Sequence, residues 1–242
     1  MDQLESIMTN STRLDNVAHA QLRIATGHSA EYGDAINQIA LFVPEYEEAQ
    51  RDYPILFTRQ ENGALQAVAI LGLDKDENLY LEGNRWTADY VPALARRGPF
   101  LIGMSQGEPV IHVDLDHPRI LAEGGSDGEP LFRPHGGQAP ALERGLDALR
   151  VIHVGHEQAA SASAMLDDLA LVEEVTLNVE LSDHHSYNFE GYLAITPEKI
   201  AALDGASLAR LNEAGLLQPV IFAASSLSNM SRLIARKQAR MD

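Results

Sequence analysis

The sequence predicts an α+β protein built as a single domain, with an antiparallel meander of hairpins in its first half and helices dominating its C-terminal part. Three observations predict it. Short apolar segments separated by tight polar turns crowd the first 120 residues, and strands so closely spaced pair antiparallel, because a parallel return needs a long crossover. An alanine-rich stretch at 142–171 has an apolar face and strong helix formers. After it come one strand pair and then a run of helix signals, an order that segregates helices from sheet rather than alternating them.

Taken in order, residues 1–15 are polar and read as a flexible N-terminus, and 16–242 as the domain. Residues 17–24 suggest a strand, with Leu22 and Ile24 on one face. In 36–43, Ile39, Leu41 and Val43 alternate until Pro44, which with Glu45, Glu47 and Glu48 reads as a short helix start. Proline tolerates the first turn, and acids there meet the positive end of the dipole. Tyr53-Pro54 ends that helix. Segments 55–58 and 65–73 flank the turn 60–63 as a hairpin, and 79–81 follows the polar turn 74–78 as a third strand. A short helix runs from Pro92 to about Arg97, stopped by Gly98 and Pro99. Segments 100–102 and 109–115 are further strands.

Residues 122–140 are dense in glycine and proline and poor in hydrophobics, which predicts a long surface loop, with His117 just before it and His135 inside it. Beyond the 142–171 helix, 175–181 alternates as a half-buried strand whose hairpin partner is 187–195. Thr196 before Pro197 and Glu198 caps a helix reaching about Leu203. Helices at 206–214 and 227–239 follow, with Gly215 as a C-cap. There is no internal repeat.

The chain has 18 basic against 35 acidic residues, a net charge of −17. Such a chain repels phosphate backbones, so nucleic acid is not an expected partner. Its one basic cluster, Arg232, Arg236, Lys237 and Arg240, suits the negative end of a helix. The absence of cysteine excludes disulfides, thiolate metal sites and cysteine nucleophiles. The first residues lack a basic region followed by an apolar run, and no apolar run approaches the ~20 residues needed to span a bilayer. The expected location is the cytoplasm.

Four residues between Trp86 and Arg97 form the first candidate site. Trp86 and Tyr90 beside Arg96 and Arg97 are suited to hold an anionic or planar ligand by stacking and bidentate hydrogen bonds. The same aromatics are also what a meander needs for its core, and the arginines could serve a structural carboxylate. The second candidate is IHVDLDH: on a strand, His112 and Asp114 share a face. With a distant histidine such as His184 they would match the facial triad of a non-haem Fe(II) oxygenase. Alternating polar residues on an exposed strand explain the pattern equally well. His153 and His156 stand three apart beside Glu157, a zinc-compatible spacing that a solvated helix also produces. No nucleophile elbow, phosphate-binding loop or dinucleotide fingerprint is present.

The runs EYEEAQRDYPILFTR, AVAILGLDKDENLYL and RWTADYVPALARRGPFLIG resemble the bacterial SapC family. The shared positions are Tyr53, Pro54, Phe57, Gly72, Leu73, Asn78, Leu79, Trp86, Tyr90, Pro92, Arg96, Arg97, Pro99 and Phe100, joined by the later LNEAGLLQPVIFAASSLSNMSRLI. The resemblance extends from about Ala40 to Arg236. Gly98, where the family usually has an aromatic, and the 122–140 loop depart from it. The resemblance implies a link to bacterial surface layers, and to gene neighbourhoods of outer-membrane uptake receptors and flavin-dependent halogenase-like proteins. It brings no catalytic residues. The expectation is a non-catalytic binding or accessory protein that recognises a protein or small-molecule partner, self-associates, and needs no cofactor. The alternative is an Fe(II) enzyme using His112, Asp114 and His184.

Overall fold

The computed structural model describes residues 10–121, 127–182 and 185–241. In chain order the elements are β1 (Ser11–Arg13), β2 (Arg23–Ile24), a 3-10 turn (Ala30–Tyr32), β3 (Gln38–Leu41), a 3-10 turn (Val43–Glu45) leading into α1 (Tyr46–Ala49), β4 (Ile55–Arg59), β5 (Leu65–Ile70), β6 (Leu81–Glu82), β7 (Arg85–Trp86), α2 (Ala93–Arg96), β8 (Phe100–Ser105), β9 (Glu108–Asp114), β10 (Ile120–Leu121), β11 (Glu129–Pro130), α3 (Pro140–Asp168), β12 (Val172–Ser182), β13 (His185–Ile195), α4 (Pro197–Ala201), α5 (Gly205–Glu213), α6 (Leu217–Ser226) and α7 (Asn229–Met241). The protein is α+β, with its sheets antiparallel throughout. No helix among the described residues is long and apolar enough to cross a membrane.

The central sheet runs β12-β13-β4-β5-β3. The β4–β5 hairpin stands where the sequence puts it, from Ile55 opposite Ala69 to Arg59 opposite Leu65. The strand beyond it does not. The outer edge of β5 is taken by β3, with Ile39 opposite Ala69, and the 79–81 segment leaves the sheet to give Leu81 to the two-stranded β6–β7 ribbon. The cause is the loop between. Leu79 N donates back to Leu71 O (2.8 Å), and Asn78 Nδ2 donates to Asp34 O (2.9 Å). Gly72 lies so close to the Glu77 carbonyl that a Cβ would sit 2.2 Å from its oxygen. The chain therefore closes a loop at 72–79 before it can extend as a strand.

Other expectations shift for local reasons. Of 17–24, only Arg23–Ile24 is strand; Asp15 Oδ1 accepts from Val17 N and Ala18 N (both 2.8 Å) and winds the preceding residues into a turn. Of the stretch expected as a flexible N-terminus, residues 1–9 lie outside the described residues, and Ser11–Arg13 pair with β9. The 122–140 segment is not simply a surface loop. Residues 122–126 lie outside the described residues, but Pro130 pairs with Arg23 in β11 and Leu131 is fully buried. α6 is absent from the sequence-based expectation; its Pro219 falls in the first turn of the helix, where no intrahelical N–H is required.

Two apolar clusters result. The larger holds β3, β4, β5 and the C-terminal helices; the smaller holds Leu22, Phe42, Phe100, Val113, Leu131 and Leu142. α3 has 29 residues, about 43 Å at 1.5 Å per residue, and serves both. Leu142, Leu146, Leu149 and Ile152 enter the smaller cluster, Ala162 and Leu166 the larger. Two glycines let phenylalanines press against its backbone. A Cβ at Gly145 would lie 2.3 Å from the Phe100 ring, and one at Gly155 2.2 Å from Phe42 Cβ.

Candidate functional site

The structure brings Trp86, Tyr90 and Arg96 into one hydrogen-bonded network and closes it on protein groups. Glu45, read from sequence as a helix-start acid, is its centre and is 1% exposed. Its Oε2 accepts from Phe42 N (2.9 Å), and its Oε1 from Tyr90 Oη (2.9 Å) and Ala93 N (2.7 Å). Burial pushes the Glu45 carboxyl above its ordinary range, against the opposing pull of those donors and of Arg96. Arg96 Nη2 donates to Tyr90 Oη (3.0 Å), and its guanidinium lies 5.1 Å from the Tyr90 ring centre. Arg96 Nε is buried and has no hydrogen-bond partner among the described residues.

A second layer holds the first. Tyr90 N donates to Asp52 Oδ2 (3.1 Å), and Tyr53 Oη donates to Tyr90 O. Trp86 Nε1 donates to Tyr53 Oη (2.7 Å), and the indole meets the His28 ring edge-on at 5.4 Å. Arg97 points elsewhere: its Nη1 donates to Phe100 O (3.0 Å), and burial pulls its pKa down against the field of Asp114. This arrangement pins the 86–97 segment to the central sheet. None of the four side chains lines either of the two concavities described below.

His112 and Asp114 do share the outer face of β9, as alternation requires. The His112 ring lies flat across Gly103, where a Cβ would come within 2.6 Å of it, and its Nδ1 stands 3.2 Å from Ser11 Oγ. Asp114 Oδ1 accepts from Asp116 N (3.1 Å). His184 lies outside the described residues. Among the described residues no group of three His, Asp or Glu side chains is placed to hold a metal ion. His153 and His156 diverge: His153 faces Glu157 (3.7 Å) on the exposed side of α3, and the His156 ring packs on Phe42 at 4.9 Å. The basic cluster of α7 clasps the 74–87 segment. Lys237 reaches Asp74 (2.5 Å) and Glu77 (2.7 Å), Arg236 covers the Tyr80 ring at 4.6 Å, and Arg240 Nη2 donates to Leu81 O (2.8 Å).

Two concavities stand apart from these groups. One, of about 30 Å³ between α3 and the central sheet, has room for a water and nothing larger. The other is a cleft of about 390 Å³ beside β1, β9 and the start of α3, within the size range of small-molecule sites. Leu14, Ile111, Phe132, Leu142 and Leu146 supply its apolar surface, and Arg13, Asp15 and Gln138 its polar margin. Leu14 N donates to Ile111 O (2.9 Å), which fixes β1 as one wall. The Asp15 carboxylate is engaged by the two backbone amides of its turn. The Arg13 side chain is exposed, and its charge acts on the Asp15 carboxylate two residues away at the same margin. The sequence could not signal this cleft, since its walls come from four separate segments. A buried ion pair was equally hidden: Arg119 Nη2 donates to Asp34 Oδ2 (2.8 Å) under the Tyr32 ring.

Neither the curated proteins nor the solved structures gave a match to the chain. The SapC family pattern matches residues 14–233. It takes in the Glu45–Tyr90–Arg96 network, both apolar clusters and most of the cleft, and the chain belongs to the SapC family.

Proposed function

We propose that this SapC-family protein is a cytoplasmic, non-catalytic binding or accessory protein serving a bacterial cell-surface or uptake system. The ligand it holds is a small apolar molecule bearing a carboxylate. The cleft carries the proposal: apolar walls of about 390 Å³ with Arg13 at the margin. In a chain of net charge −17, an exposed arginine at the margin of an apolar cleft offers an anion a guanidinium. A guanidinium binds a carboxylate through two parallel N–H donors, and each methylene that leaves water for the walls adds about 0.8 kcal/mol. Recognition is thereby assigned to the cleft and not to the Tyr90–Arg96 network, whose Glu45 carboxylate and Tyr90 hydroxyl are already engaged within the fold.

Octanoate is the probe. Saturable binding by calorimetry is expected, at least tenfold tighter than that of octanol, and weakened about tenfold or more by Arg13→Gln, the loss of a charged hydrogen bond. Phe132→Ala should weaken octanoate and octanol alike. Octanoate that fails to saturate, or binds R13Q as well as wild type, refutes the cleft assignment. Conversion of the ligand to a new species, seen by mass spectrometry after incubation, refutes the non-catalytic one.

A further inference from the structure

We infer that two copies of this chain join edge to edge through β8, continuing the β1-β9-β8 sheet across a two-fold axis. β8 is the outermost strand of its sheet. Which of its backbone groups face outward follows from three hydrogen bonds. Asp114 N donates to Pro99 O, so residues 101, 103 and 105, in step with Pro99, aim their N–H and C=O groups at β9. Phe100 N donates backward to Arg97 O, away from β9, and Ile111, opposite Ile102, turns its carbonyl to β1. The N–H and C=O groups of Ile102 and Met104 therefore point off the edge of the sheet.

An open edge of this kind is a template for another strand, and proteins that remain single usually blunt it with charge, proline or a bulge. β8 has none of these. No charged residue occurs from Gly98 to Gly107, and its register with β9 runs without a shift from Phe100 to Ser105. Its Ile102 and Met104 side chains are 37% and 67% exposed. The other edges of this sheet and of the five-stranded sheet differ: β12 carries Glu173 and Glu174 and has register shifts, β3 is four residues long with none of them exposed, and β1 is three residues long.

The occupant is argued from charge and self-complementarity. Two copies that each carry −17 repel, and the ten-residue uncharged stretch is an edge where they meet without setting like charges opposite one another. An antiparallel pairing centred on Gly103 places Ile102 of one protomer opposite Met104 of the other, twice. It uses every outward backbone group of those residues in a closed, isologous contact.

Equilibrium sedimentation of the full chain tests this. A mass of twice 26.4 kDa is expected at micromolar to tens of micromolar concentration, with dissociation weakening as sodium chloride rises, because salt screens the repulsion. Met104→Lys, at an exposed position, should raise the dissociation constant at least tenfold. Ile102→Pro removes one outward N–H and should do the same; fluorescence of the buried Trp86 verifies that both variants are folded. Hydrogen exchange on the wild type needs no variant: the Ile102 and Met104 amides should slow as concentration rises. A chain that stays monomeric at 100 µM in high salt overturns the inference. So does a dimer unaffected by both substitutions, or one that leaves those two amides unprotected.

Discussion

Gly155→Ala is the sharpest test of how α3 is packed. Inside a helix alanine is favoured over glycine by about 1 kcal/mol, so the substitution would stabilise an unconstrained position. Here the new Cβ would lie 2.2 Å from Phe42 Cβ and 2.6 Å from Phe42 Cγ, whereas ordinary contact begins near 3.4 Å. More than an ångström must open, and the obstructing atom is rooted on the backbone rather than at the tip of a flexible chain. Phe42 has little freedom to retreat. Its N–H is held by Glu45 Oε2, and its ring lies between α3 and the smaller core. Overpacking a closed core costs about 1–3 kcal/mol, and the clash at Cβ puts this site in the upper half. After the propensity gain of about 1 kcal/mol, a net loss of about 1–2 kcal/mol remains. For a chain of 242 residues that lowers the thermal midpoint by roughly 2–8 °C. Urea unfolding followed by the fluorescence of Trp86, the single tryptophan, measures it. Gly205→Ala is the control, since a Cβ there meets nothing within 4 Å, and it should stabilise by about 0.4–1 kcal/mol. A Gly155→Ala protein as stable as wild type would refute the packing argument.

Three further substitutions probe the other networks. The pKa of Glu45 is raised in the folded state, so between the unfolded value and the folded one the native protein binds more protons, and stability falls as pH rises through that window. Glu45→Gln should abolish this component, and urea midpoints compared at pH 5 and pH 7 will show a different slope; equal slopes contradict the assignment. Lys237→Met keeps the apolar stem but removes the ammonium from Asp74 and Glu77. Because Asp74 is half exposed, about 1–2 kcal/mol should be lost, with faster proteolysis within residues 74–87; unchanged cleavage there speaks against the clasp. Trp86→Phe removes the donor to Tyr53 Oη and should cost about 1–2 kcal/mol by circular dichroism, a loss that a solvent-facing ligand platform would not show.

What the sequence disclosed was local. The 55–70 hairpin could be read from alternation and a turn, α3 from alanine and its apolar face, and the Thr196 cap from one threonine, whose Oγ1 does accept from Lys199 N (3.4 Å). The order of the central sheet could not, since β3 reaches β5 across the intervening β4 and nothing in either strand names its neighbour. The grouping of Trp86, Tyr90 and Arg96 was visible, but its closure was not. Their partners Tyr53 and Glu45 lie 33 and 45 residues away, and an acid after Pro44 suggests a dipole companion before it suggests a buried acceptor. The cleft was least visible of all, because Arg13 and Leu14 looked like an N-terminal extension and Phe132 like part of a loop.

The long helix has a consequence for how the molecule comes apart. α3 contributes its first half to one apolar cluster and its second half to the other, with no break between them. Fraying that begins at Pro140 strips the smaller cluster as it advances, and by Gly155 it has released Phe42. That residue adjoins the turn carrying Glu45, which anchors Tyr90 beside the larger cluster. The two cores are thus cooperatively linked: a single all-or-none transition, not two, is what a helix shared in this way imposes on unfolding.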